Sequence, residues 1–296
     1  MLEDGGVYVF HYKKNPMKVL DVYGKGTENG TNIQICNYNY GNNQRFQALK
    51  TGNYYMFKDL NSGKFLDVEG GIAQNCTNII LFQQNNCDNQ KWKVIDLGNG
   101  YCSFQSKINS KYYLDVKYGG SGNEDNVWLY EGNDTDAQKF KPIRKILYKF
   151  RVGVVGLEIK NVVPEQIMRN LDITHSAFLL GTDLFEYGTD PLMPSYVGLN
   201  YIGIKTYKQG YFRIKNYNRN KPNEHFDWER IGSKLNGTTW IQPDELDGIL
   251  SSSGKWTNEN YNVINHNCHD FVKECIIICS SNKGMALKLL PIFRPH

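Results

Sequence analysis

Three segments in the first half of the chain align on one another without a gap: LDVYGKGTENGTNIQICNYNYGNNQRF, LDVEGGIAQNCTNIILFQQNNCDNQKW and LDVKYGGSGNEDNVWLYEGNDTDAQKF. In each, Leu-Asp-Val leads to a Gln-x-aromatic whose Gln lies 23 residues after the Asp: Asp21 with Gln44, Asp67 with Gln90, Asp115 with Gln138. The aspartates are 46 and then 48 residues apart. Between the two markers an Asn precedes an alternating apolar strand, at Asn32-Ile33, Asn78-Ile79 and Asn126-Val127. Phe46, Trp92 and Phe140 are the expected buried anchors. A unit of this length, made of short strands and Gly/Asn turns, cannot bury its own apolar face, whereas three around an axis can. Four strands per unit would close a barrel with a triangular cap and leave few exposed edges.

The repeated LDV and Q-x-W/F markers resemble the ricin-type β-trefoil lectins over about residues 1–145. The resemblance implies an all-β trefoil in which each repeat's Asp accepts hydrogen bonds from sugar hydroxyls, an aromatic stacks on the sugar face, and an Asn beside the Gln adds a bond. The middle repeat keeps every type, as Asp67, Phe82, Asn89 and Gln90. The first keeps Asp21, Asn43 and Gln44 but has Cys36 at the stacking position, so Tyr38 or Tyr40 would have to substitute. The third keeps Asp115 and Tyr130, with Ala137 where the Asn should stand. The expected partner is a glycan, a galactose-type sugar or glycoconjugate. The disulfide cysteines of secreted relatives are missing, and Cys76 and Cys87 are not at their places.

Composition narrows the alternatives. A net charge of +4, without a long basic run, is too mild for nucleic acid or an anionic membrane. No segment approaches the ~20 apolar residues that span a bilayer. The start, MLEDGGVYVF, is acidic where a signal peptide needs positive charge. With seven cysteines, an odd number, this predicts reduced thiols and a cytoplasmic protein, unconventional secretion staying open. The sequons at Asn29, Asn75, Asn133 and Asn236 read as chance products of an Asn-rich chain. No cofactor is expected.

After Phe140 the period changes. KFRVGVVGLEI reads as a buried strand, VPEQIMRNL as a short helix, and THSAFLLGTDLFEYG as a hairpin. QPDELDGILSSSG reads as a helix with Pro at its start, and NCHDFVKECIIIC as another that begins at Cys268. A thiol in a first helical turn meets the positive end of the macrodipole and free backbone N–H groups, which lower its pKa and can hold an oxyanion. His175, at the start of the hairpin, is the candidate base. Cys275 and Cys279, one turn apart, fit no common zinc set and read as core. Within the segment from Pro191 to Pro243, rich in Asn, Tyr and Lys, YNRNKPNEHFDWER reads as a loop.

The order of buried strand, HSAFLLGTDLFEYG, GTTWIQPDELDGILSS and YNVINHNCHDFVKE resembles the PPPDE, or desumoylating isopeptidase, family over 148–296. That implies a second domain of α+β permuted papain-like cysteine hydrolase fold, acting by acyl transfer through a Cys268–His175 dyad. Glu186 or Tyr187 would orient the imidazole, and the substrate would be a protein, a peptide or a ubiquitin-like conjugate. His269 replaces the second Asn of that family's N-C-N. NCHDFV is also similar to the lecithin:retinol acyltransferase-like enzymes, but their second His falls here at Tyr187. Three readings stand: a lectin fused to a cysteine peptidase, a glycan-binding protein with an inactive hydrolase-like domain, and a lipid acyltransferase or thioesterase.

Overall fold

The computed structural model describes residues 2–156, 174–180, 183–188, 210–214, 236–256 and 268–279. Two units can be separated, Met1–Lys145 and Ile146–His296.

The first unit contains twelve strands, four to a repeat: β1 (Val7–Tyr12), β2 (Lys18–Val22), β3 (Ile33–Asn37) and β4 (Phe46–Thr51); β5 (Tyr54–Asp59), β6 (Phe65–Val68), β7 (Thr77–Phe82) and β8 (Trp92–Asp96); β9 (Cys102–Ser106), β10 (Tyr112–Val116), β11 (Asp125–Glu131) and β12 (Phe140–Lys145). The outer strands of each repeat pair in a ring, β1–β4–β5–β8–β9–β12 and back to β1, so the barrel closes with its first and last strands hydrogen-bonded. Closure removes the unpaired edges an open sheet would carry. The inner strands form three hairpins, β2–β3, β6–β7 and β10–β11, and β11 also pairs with β3 and β7.

The core repeats the threefold pattern. Phe10, Phe57 and Phe104, one from each repeat, meet edge to face with ring centroids 5.0–5.2 Å apart. Around them the anchors Phe46, Trp92 and Phe140 are fully buried, as are the layers Leu20, Leu66, Leu114 and Val22, Val68, Val116. Each edge-to-face contact adds ~0.5–1.5 kcal/mol beyond the area it buries.

Polar contacts tie one repeat to the next. The side-chain oxygen of Asn29 accepts from the Gln83 N–H at 2.9 Å, Asn75 from Glu131 at 2.8 Å, and Asn123 from Asn37 at 3.0 Å. These three equivalent clamps run from each repeat to the following one, the last returning to the first. Nearer the axis, Asn78 donates to Asn32 and Asn126 donates to Asn78, both at 2.9 Å. The asparagine richness therefore has a structural use, and two sequon asparagines, Asn29 and Asn75, are among the clamps.

In the second unit, β13 (Tyr148–Gly156), β14 (Thr174–Leu180), β15 (Asp183–Gly188), β16 (Gly210–Ile214) and β17 (Asn236–Thr239) form an antiparallel sheet ordered β16-β15-β14-β13-β17. Helix α1 (Pro243–Ser252) starts with Pro243 at its first position, where a missing N–H costs nothing, and the Gln242 N–H donates to the Glu245 carboxylate at 2.9 Å. Helix α2 (Cys268–Cys279) buries Phe271, Val272, Cys275, Ile276 and Cys279, a stripe at helical spacing. It packs against β14 and β15 and touches α1. Cys275 and Cys279 thus sit in core. The expected helix over 163–171 and the loop over 217–230 lie outside the described residues. No helix among the described residues is long and apolar enough to cross a membrane.

Because Phe57 is enclosed by two other rings at the centre of the barrel, Phe57→Ala should cost about 3–5 kcal/mol. Urea unfolding followed by near-UV circular dichroism would measure it, and a loss below about 1 kcal/mol would mean that the ring triangle does not hold the barrel.

Candidate carbohydrate-binding site

Strand register decides what stands beside each repeat's Asp. Cross-strand partners share a face, and residues two apart on a strand return to it. In the first repeat Asp21 lies opposite Gln34, and Val19 opposite Cys36. In the second Asp67 lies opposite Ile80, and Phe65 opposite Phe82. In the third Asp115 lies opposite Trp128, and Tyr113 opposite Tyr130. The Asp and the expected stacking residue therefore occupy one face of each hairpin. Phe82 and Tyr130 are partly buried near the ends of their strands.

Each Asp is a buried hydrogen-bond hub. Asp21 accepts from Gln34 Nε2 at 2.9 Å, Asn43 Nδ2 at 2.8 Å and Gln44 Nε2 at 2.8 Å. Asp67 accepts from Asn89 Nδ2 at 2.8 Å, Gln90 Nε2 at 2.9 Å and Asn85 Nδ2 at 3.2 Å. Asp115 accepts from the indole Nε1 of Trp128 at 2.8 Å. The residue opposite the Asp, 13 positions later in every repeat, is thus a donor in repeats one and three. Ile80 cannot donate, and Asn85 supplies the third bond of the middle repeat instead. Sequence reading missed Gln34, Trp128 and Asn85. The constant 13-residue offset was visible, but its meaning depends on hairpin register.

Gln44 and Gln90 have no exposed surface. Besides the Asp, their Nε2 groups donate to the carbonyls of Asn37 and Gln83, and their Oε1 atoms accept from the N–H groups of Asn39 and Asn85. Gln138 makes the same loop bonds, to Glu131 and from Asn133. These glutamines fasten the loop to the hairpin, and Gln44 and Gln90 also hold the Asp. Asn43 and Asn89 each donate to their Asp, while their Oδ1 atoms are buried without a partner. At the first repeat, Tyr38 is already engaged, its ring 4.5 Å from that of Tyr40 and 5.0 Å from Lys145 Nζ.

Residues 42–130 match the family described as ricin-type beta-trefoil lectin domain-like. The first unit is a ricin-type β-trefoil lectin domain. Solved structures similar to the chain include the designed threefold-symmetric protein ThreeFoil, 30% identical, with 47% of this chain covering 98% of that one at a TM-score of 0.45. They also include the Rhizoctonia solani agglutinin, 24% identical, with coverage of 49% and 99% and a TM-score of 0.45. A third is the Macrolepiota procera ricin B-like lectin solved with lactose, 21% identical, with coverage of 49% and 99% and a TM-score of 0.42. No curated protein matches the chain.

In the lectin domain, burial pushes the carboxyls of Asp21, Asp67 and Asp115 above the ordinary aspartate range, and the amide and indole donors pull back without cancelling the effect. A carboxyl with a raised folded-state pKa holds its proton more tightly folded than unfolded. Its contribution to stability is therefore fully present below the unfolded value of about 3.9 and is lost as pH rises through the folded one. The ionised form is the stronger acceptor of hydroxyl hydrogen bonds, so ligand recognition through these carboxylates runs the opposite way.

For the second unit, His175 is the second residue of β14, opposite Val155 on β13. Glu186 lies opposite Ala177, two residues along β14 from His175, and Tyr187 lies opposite Tyr211 on β16. By alternation, Glu186 occupies the face of β14 positions 175 and 177, and Tyr187 the other face. Cys268 opens α2. The side chains of His175, Glu186, Tyr187 and Cys268 lie outside what the structure describes. The cysteines deeper in α2 are different in kind: burial raises both Cys275 and Cys279 far above the ordinary thiol range.

Glycan binding should weaken on acidification with a midpoint above the ordinary aspartate value of about 3.9, while the fold persists. Isothermal titration across that range, with far-UV circular dichroism on the same samples, checks this. A midpoint below that value would mean that the buried carboxylates are not the acceptors.

Proposed function

We propose that the chain is a glycan-binding protein whose middle repeat carries the principal sugar site. The observation behind this reading is the arrangement around Asp67. Its carboxylate is oriented by three amide donors, it shares a hairpin face with partly exposed Phe82, and one of those donors is the neighbouring Asn89 amide. An oriented carboxylate, an amide and an aromatic face make the donor, acceptor and stacking set that a pyranose requires. The first repeat has the same polar set with Cys36 in place of the ring. The third has the rings without the amide. The ligand class is a galactose-type sugar or glycoconjugate.

On a glycan array, Asp67→Asn should lose at least about ten-fold in signal while its circular dichroism stays that of the wild type, since the amide keeps the shape but replaces an acceptor by a donor. Equal binding by both proteins would remove the middle site from this reading.

A second reading, for the second unit, is a cysteine hydrolase acting on peptide or isopeptide amides. It is supported by α2, with Cys268 at its first position, packing against β14, the strand that contains His175. The imidazole would take the thiol proton and the thiolate would attack the carbonyl; the imidazolium would return that proton to the departing amine as the C–N bond breaks, and water would then hydrolyse the thioester to the free acid and the thiol. Joined to the lectin domain, such an activity would be tethered to glycan-bearing material, raising the local substrate concentration.

An electrophilic thiol probe should label Cys268 in preference to Cys275 and Cys279, and His175→Ala should reduce that labelling about ten-fold or more. Labelling that is unaffected by His175→Ala would leave the unit a non-catalytic partner of the lectin domain. Turnover of a phospholipid and not of a ubiquitin-like fusion would shift the reading to lipid acyl transfer.

A further inference from the structure

The turn that follows each LDV contains two successive residues in the left-handed region. The first of them is Gly24 (φ 59°) in repeat one, Gly70 (φ 64°) in repeat two and Tyr118 (φ 54°) in repeat three. Glycine adopts this conformation freely, whereas a side chain with a Cβ is strained there. A bulky aromatic in place of the glycine that both sister repeats use is therefore an anomaly measured inside one molecule. Lys25 takes the second left-handed position of repeat one, so non-glycine residues occur in this turn, but Tyr118 alone places a ring there.

That ring is not serving the core. Tyr118 is 85% exposed, the most exposed large apolar residue of the described chain. Its inner edge meets Trp128, ring centroids 5.1 Å apart at 80°, and Trp128 in turn stacks on Tyr130 at 5.6 Å and 23°. Trp128 is the residue whose indole N–H holds Asp115. Tyr118, Trp128 and Tyr130 thus form a continuous aromatic wall from the buried carboxylate to solvent, with the Lys117 ammonium 5.4 Å and 5.5 Å from the centres of the outer two rings, Tyr118 and Trp128. At the same site Ala137 stands where repeats one and two have Asn43 and Asn89.

We propose that Tyr118 is a specificity-determining residue that makes the third repeat a site for the second sugar of a glycan chain. This rests on the glycan-binding reading of the lectin domain. A terminal sugar that reaches Asp115 finds no amide at Ala137, so its own recognition is weaker than in the other repeats. A ring that stands outside the Asp115 pocket meets the part of a ligand that also stands outside it, the apolar face of the adjoining residue. The third site therefore exchanges hydrogen-bond recognition of one sugar for stacking on two, and favours a disaccharide or longer glycan over a monosaccharide. Strain held at an exposed position, where no packing requires it, accords with selection for contact.

The test uses the full chain, isotope-labelled, and reads third-repeat amides by nuclear magnetic resonance during titration with methyl β-galactoside and with lactose. The wild type should bind lactose about ten-fold more tightly than the monosaccharide at the third repeat. Tyr118→Gly should bring that ratio close to one, while Tyr118→Phe should keep it. The melting temperature of Tyr118→Gly should equal or exceed the wild type's, because the glycine relieves the left-handed strain; a structural Tyr118 would lower it. Equal affinities for the two sugars in the wild type, or an unchanged ratio in Tyr118→Gly, overturns the proposal. If neither sugar perturbs the amides of any repeat, the galactose-type reading of the whole domain fails, and this proposal with it.

Discussion

Closure of a six-stranded ring is the constraint on which the lectin domain depends. The centre of the core is shared between repeats: Phe10, Phe57 and Phe104 come from three different repeats and meet one another at its middle. The ring becomes a barrel only when β12 reaches β1, so the last residues of the repeat region are as necessary as the first. The asparagine clamps extend the same logic to the loops, because each satisfies a backbone N–H of the next repeat that sequence-local structure leaves without a partner. Cooperativity across the whole unit follows, since removing one repeat would expose two interfaces and orphan the polar groups at both.

Within that frame the three aspartates are held alike and equipped differently. Burial raises the carboxyl pKa in every repeat, and each repeat answers with donors aimed at the same group. The donors are two Gln and an Asn in the first repeat, a Gln and two Asn in the second, and an indole with the Gln138 and Asn133 amides in the third. What stays constant is the need to satisfy a desolvated acceptor. What varies is the surface that the chosen donor leaves behind: amide in the first two cases, aromatic wall in the third. Divergence of ligand preference among the repeats can thus arise from a structural requirement common to all of them.

The closed trefoil, its anchors and its aspartates were legible in the sequence because each is marked once per repeat at a nearly fixed interval. Phe46, Trp92 and Phe140 could be named as core from the Gln-x-aromatic alone. The Phe triangle could not, since it lies before the LDV marker in each repeat and outside the aligned window. The partners at Gln34, Ile80 and Trp128 recur at a constant offset, but an offset becomes a contact only when hairpin register is known. The clamps at Asn29, Asn75 and Asn123 are spaced like the aspartates, yet nothing local shows that they bond across repeats. Gln44 and Gln90 sit beside the Asp in the motif, and only the structure shows that both are fully buried and hydrogen-bonded to it.

The second unit poses a different problem. Its strands and helices could be read because periodicity and capping are local: Pro243 at a helix start, and a buried stripe from Phe271 to Cys279. The proposed nucleophile and base are not local. Cys268 and His175 are 93 positions apart, and only the packing of α2 on β14 relates them. The cysteines within α2 sharpen the contrast. Cys275 and Cys279 lie on the buried stripe, where desolvation keeps thiols protonated. Cys268 is the first residue of the same helix. The buried pair therefore belongs to the packing of the helix and not to any chemistry proposed for its first turn.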